Sequence, residues 1–150
     1  HITGSCSCNS IRYQLTGSIK KVVNCHCDNC KKMNGSAIST YAAVLDSDFE
    51  ITQGEVKQFS ISDKASKHFC GDCGTPLFNT NVKYSGLKIL HIGSLNSMNE
   101  LTPDVNIYNE SQVDWLADVN NMPSLKQKPN SDNATSCASR QLTWSDFGFH

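Results

Sequence analysis

Eight cysteines in 150 residues are the side chains here best able to do chemistry, and seven of them are grouped. Cys6 and Cys8 form a C-x-C pair, Cys25, Cys27 and Cys30 a C-x-C-x-x-C run, and Cys70 and Cys73 a C-x-x-C pair. Cys137 stands alone. Cysteines one or two residues apart pair poorly with each other, because a disulfide wants its Cα atoms about 4.4–6.8 Å apart with a fixed torsion. A zinc ion gathers thiolates at about 2.3 Å each in a tetrahedron, so two close pairs from distant segments clamp it well. Cys6, Cys8, Cys70 and Cys73 make such a set, and Gly71, Asp72 and Gly74 supply the tight turn around the second pair. A closed four-thiolate site of this kind is structural.

The middle cluster has three thiolates and no matching fourth. Catalytic zinc sites commonly take three protein ligands and leave a position for water or substrate. Cys25, Cys27 and Cys30 are therefore the candidate catalytic metal site. His26 is a possible fourth ligand, although adjacent residues of an extended segment point to opposite sides. Cys137 is another. A metal-free thiol cluster or a Cys27–Cys30 disulfide are the competing readings. Lys31 and Lys32 follow directly; positive charge favours thiolate and can hold an anionic substrate, while a merely solvated lysine pair is equally common.

Short strand-like stretches separate the clusters. Alternation or β-branched enrichment marks 11–15, 37–44, 49–52, 56–61, 67–69, 76–80, 87–93 and 104–108. Helix signals are confined to single turns at 28–33 and 111–116. Many short strands at short intervals predict a mainly β domain with short helical turns. The composition shifts after Pro123. The expected organisation is one zinc-bound domain over 3–125 and a polar tail over 126–150 with an aromatic end.

The net charge is −1 and charged residues are 18% of the chain. Binding nucleic acid through phosphate neutralisation needs clustered Lys and Arg, so that class is set aside. No apolar run approaches the ~20 residues of a membrane span, and the first residues carry no basic and apolar leader. A cytoplasmic protein is expected, with self-association left open.

Three motifs resemble those of a known family. They are Gly4-Ser5-Cys6-Ser7-Cys8-Asn9-Ser10-Ile11-Arg12-Tyr13, then Cys25-His26-Cys27-Asp28-Asn29-Cys30-Lys31-Lys32 with Gly35-Ser36, then Phe69-Cys70-Gly71-Asp72-Cys73-Gly74-Thr75-Pro76-Leu77. A closing stretch from His91-Ile92-Gly93-Ser94-Leu95 through Ile107 to Trp115 also fits. The chain resembles the glutathione-dependent formaldehyde-activating enzymes, grouped with the centromere protein V domain. The resemblance implies a β-rich fold like that of the zinc-containing Rab exchange factor. It implies a structural zinc on Cys6, Cys8, Cys70 and Cys73, and a second zinc on Cys25, Cys27 and Cys30 near which glutathione would bind. The activity it implies is that of a carbon–sulfur lyase joining formaldehyde and glutathione reversibly. Small-molecule thiol and aldehyde partners follow, with Lys31 and Lys32 placed to hold a glutathione carboxylate. One departure is Asn9, where the family usually has Gly; Asn tolerates the left-handed backbone nearly as well. His26 and His91 are candidate bases. The alternative reading is a non-catalytic, zinc-stabilised protein-binding module, and a third is a redox or metal-buffer protein.

Overall fold

The computed structural model describes residues 1–125 and residue 145. The polar tail expected over 126–150 and Cys137 therefore lie outside the described residues, residue 145 apart. The chain divides into a unit from His1 to Val113 and a second from Asp114 to His150.

The first unit is mainly β. Its strands are β1 (Ile2–Ser5), β2 (Arg12–Leu15), β3 (Lys21–Cys25), β4 (Ser39–Leu45), β5 (Phe49–Gln53), β6 (Lys57–Ser60), β7 (Ala65–Phe69), β8 (Pro76–Asn81), β9 (Leu87–His91) and β10 (Val105–Ile107). One α-helix, α1 (Asp28–Asn34), stands between β3 and β4, and short 3-10 turns fill several connections. In the second unit the described element is a 3-10 segment, Asp114–Asn121. The helical turn expected over 111–116 is thus split: one short turn ends at Ser111 and the next begins at Asp114.

Two sheets build the first unit. One has the order β1-β2-β5, the other β10-β3-β4-β9-β8-β7-β6. All pairings are antiparallel except β10 on β3. The core lies between the sheets. Tyr13 and Leu15 of β2 belong to one buried cluster with Ala42 and Val44 of β4, Leu77 and Phe78 of β8 and Leu90 of β9. Phe49 of β5 bridges the layers, with its ring centroid 5.1 Å from Tyr13 and 5.1 Å from Phe78. Each large side chain buried this way is worth about 1.5–3 kcal/mol.

Successive residues of a strand face opposite sides. Ala42 and Leu90 turn to the core, so Tyr41 and His91, which are opposite each other in the β4–β9 register, turn away from it. That outer face is covered by α1: Asn34 bonds Ser39 and Tyr41 of β4. The larger sheet thus has an apolar face for stability and a polar, partly covered face beside the middle cysteines.

Gly4 is fixed by a close approach. It pairs with Tyr13, and a Cβ there would lie 2.2 Å from the Tyr13 ring. The ring cannot yield, because it is buried and its hydroxyl bonds Ser94 Oγ at 2.7 Å.

Candidate metal centres

The first cluster joins two turns. Beyond β1 the chain reverses through Cys6–Asn9, with the Asn9 amide on the Cys6 carbonyl at 3.1 Å. Asn9 takes the left-handed backbone at φ 62°, the conformation for which Asn substitutes for Gly. The second turn closes the β7–β8 hairpin: the Gly74 amide bonds the Cys70 carbonyl at 2.8 Å, with Gly74 at φ 78°. The Ser7 amide donates to Thr75 Oγ1 at 3.0 Å and ties one turn to the other.

The four sulfurs of Cys6, Cys8, Cys70 and Cys73 lie within 4.8 Å of one another. Cys6 and Cys8 Sγ are 3.6 Å apart, Cys8 and Cys70 Sγ 3.8 Å. A tetrahedron with bonds of about 2.3 Å has edges of roughly 3.8 Å, so the spacing suits zinc. The seven described cysteines are all free thiols, with no disulfide among them. Hydroxyls that the sequence did not single out attend the sulfurs. Ser10 Oγ is 3.1 Å from Cys8 Sγ and 3.3 Å from Cys70 Sγ. Thr75 Oγ1 is 3.2 Å from Cys73 Sγ, and its hydroxyl and amide bring the Cys73 thiol down to about 5.

The second cluster is assembled by β3 and α1. Cys25 ends β3 and is buried; Cys27 caps α1, its sulfur accepting the Cys30 amide at 3.3 Å; Cys30 lies in the first helical turn. Gly35, at φ 63°, stops the helix. The three sulfurs lie within 4.8 Å of one another, with Cys25 and Cys27 Sγ 3.5 Å apart. Burial pushes the Cys25 thiol up and the Cys30 thiol up to about 12. Burial also acts on Cys27, but the Cys30 amide and thiol outweigh it and bring that group down. Three converging thiols with little surrounding charge to hold them ionised are a donor set that a thiophilic cation completes.

His26 does not join this set. It is fully buried, and its Nε2 meets Asn106 Oδ1 at 3.1 Å. That oxygen also accepts from Asn24 Nδ2 at 3.2 Å. Lys31 is held in place: its ammonium bonds the Ser111 carbonyl at 2.7 Å and Asp28 at 3.0 Å. Lys32 is exposed at the same rim.

Around the cluster the outer sheet face supplies polar groups that sequence spacing did not bring together. Tyr41 is buried, and its hydroxyl accepts from Asn34 Nδ2 at 2.9 Å. Its ring packs edge-on against His91 at 4.9 Å. His91 Nε2 bonds Asn79 Oδ1 at 2.9 Å, which makes Nε2 the protonated nitrogen. Lys67, paired with Asn79, donates to the Met33 carbonyl of α1. Burial and then the Lys67 charge lower His91 to about 4, so it is neutral at pH 7.

The fold is that of a mainly β protein with two cysteine clusters that could each hold a metal ion. Residues 1–111 match the family model "Glutathione-dependent formaldehyde-activating enzyme", and the chain belongs to that family. A crystal structure of a Rhodobacter sphaeroides protein is similar in fold, with a TM-score of 0.55 at 16% identity, covering 65% of this chain and 91% of that one. No curated protein matches the chain. No helix among the described residues is long and apolar enough to cross a membrane.

Proposed function

We propose that the chain is a zinc-dependent enzyme of the carbon–sulfur lyase type. It adds a thiol, glutathione in the first place, to formaldehyde or a related small aldehyde and reverses that addition. The observation that carries this reading is the unequal sulfur count of two otherwise similar clusters. Four sulfurs converge at Cys6, Cys8, Cys70 and Cys73, and three at Cys25, Cys27 and Cys30. The first set saturates a tetrahedral ion and works as a staple. The second leaves one position for a substrate sulfur.

Zinc at the three-sulfur site would keep a substrate thiol ionised and electron-rich at neutral pH. The chain's residues do the rest. Cys25 is fixed by β3, and Cys27 is oriented by the Cys30 amide, so the three sulfurs stand ready before substrate arrives. Preorganisation of this kind removes the entropy cost of assembling the site during the reaction. Lys31 is committed to Asp28 and Ser111 and steadies the wall at the helix start. Lys32, exposed beside it, is the group for a glutathione carboxylate. His91 keeps its Nε2 proton on Asn79 and contributes no positive charge at neutral pH.

The test mixes glutathione, formaldehyde and protein and follows adduct formation by NMR against the uncatalysed rate. Acceleration that disappears in Cys25→Ser is expected. No acceleration by the zinc-loaded wild-type protein would leave the family assignment standing and favour the alternative, a zinc-stabilised binding module without catalysis.

A further inference from the structure

Two non-glycine residues among those described take a left-handed backbone, Asn9 at φ 62° and Tyr108 at φ 53°. Asn9 is a residue type suited to that conformation, and it turns the chain at the first cluster. Tyr108 is not: a bulky side chain there is an outlier that the surrounding structure must impose. Its side chain is 59% exposed, so burial in the core does not offset the strain. Glycine or asparagine would take the same turn more easily. An aromatic ring is thus displayed to solvent at a position where the backbone resists it.

The elements of the middle site impose that conformation. Ile107, the residue before, ends β10 opposite Cys25 of β3, and its carbonyl accepts the His26 amide at 3.1 Å. Asn24 and Asn106, one step back, meet on one face of the sheet, so Ile107 and Cys25 share the other. After Tyr108 the chain makes a 3-10 turn, Asn109–Ser111. The Ser111 amide closes it on the Tyr108 carbonyl at 3.1 Å, and the Ser111 carbonyl takes the Lys31 ammonium at 2.7 Å. The backbone of Tyr108 is held on one side by the strand that pairs with Cys25 and on the other by the helix that carries Cys30.

We infer that Tyr108 is a specificity-determining residue of the middle site: its exposed ring is the surface on which the peptide part of a thiol-bearing tripeptide, glutathione, lies when its sulfur is at Cys25, Cys27 and Cys30. A tyrosine ring supplies a broad contact at low cost in side-chain freedom, and a backbone already fixed lowers that cost further. A two-carbon thiol has no peptide to lay on the ring, so Tyr108 separates glutathione from simple thiols. The inference rests on the proposal that the three-sulfur site holds zinc and takes a substrate sulfur.

The test measures binding of glutathione and of 2-mercaptoethanol to the zinc-loaded protein by titration calorimetry, with the melting temperature of each variant taken alongside. Tyr108→Gly and Tyr108→Asn remove the ring and suit the left-handed backbone, so both should melt at or above the wild-type temperature. Both should bind glutathione about 10-fold more weakly, the loss typical of truncating an aromatic anchor, and bind 2-mercaptoethanol as before. Tyr108→Phe keeps the ring and should keep most of the glutathione affinity. Unchanged glutathione binding in both ring-less variants would overturn the role, and a Tyr108→Phe loss as large as theirs would overturn the ring as the contact. An equal loss for both thiols, or a loss accompanied by a lower melting temperature, would make the ring part of the fold and overturn the role as well. A wild type that binds 2-mercaptoethanol but shows no preference for glutathione sinks this inference and leaves the open site standing. A wild type that binds neither thiol removes the open site, and the inference falls with it.

Discussion

His91 shows how the outer sheet face imposes its conditions on one side chain. It is 6% exposed, bonded to Asn79 and packed edge-on against Tyr41, with the Lys67 charge near it. Burial lowers it from 6.5 to about 4. The unfolded chain therefore takes up a proton near pH 6.5 that the folded chain refuses until about pH 4. The stability that neutral His91 allows is fully present above pH 6.5 and is lost as pH falls from there toward 4. At 1.36 kcal/mol per unit the loss is at most roughly 3 kcal/mol. His91→Gln keeps a polar group for Asn79 and cannot titrate. Urea unfolding at pH 7 and pH 4.5 should show wild type losing more stability than this variant. Equal losses would mean that His91 is not held neutral. The role of His91 was only half legible in the sequence. Its place in the closing stretch says nothing of its partners, because Tyr41, Asn79 and Lys67 meet it only through pairings across four strands.

At the scale of elements, the turn chemistry around the cysteines was the most readable part. Gly74 and Asn9 adopt the left-handed backbone that their residue types allow. Asn9→Gly should be close to neutral for stability. Asn9→Val, branched at Cβ, should cost about 1–2 kcal/mol and loosen the Cys6–Cys8 turn. Thermal unfolding of the two variants checks this; equal melting points would count against the turn as a rigid ligand holder. Strands with alternating or β-branched residues were also readable, from 12–15 through 105–107. Two were not. β1 is only four residues, Ile-Thr-Gly-Ser, and carries little apolar pattern. β3 has two adjacent valines between lysine and a cysteine motif, and its strand character comes from pairing with β4 and β10. β3 matters to the site, because it delivers Cys25 and, through its parallel partner, places Asn106 on His26.

For the molecule as a whole, the closed cluster links distant chain segments. Cys6 and Cys8 follow β1 in the smaller sheet, while Cys70 and Cys73 lie in a hairpin of the larger one. A metal there fastens the two layers at one end of the core and supplements the modest apolar burial. Chelation should therefore lower the melting temperature of the whole first unit in one cooperative transition. Cys73→Ser should reproduce much of that loss, whereas Cys30→Ser should produce little of it. Calorimetry with and without chelator reads the difference. Comparable destabilisation by both substitutions would contradict the division into a staple and an open site.

That division is tested most directly by counting zinc. Elemental analysis of purified protein should find close to two zinc ions per chain in the wild type. Cys25→Ser should retain close to one, and Cys73→Ser should lose the other. A wild-type chain with one zinc, retained undiminished in Cys25→Ser, would mean that Cys25, Cys27 and Cys30 hold no metal, and the proposed chemistry at that site would fall.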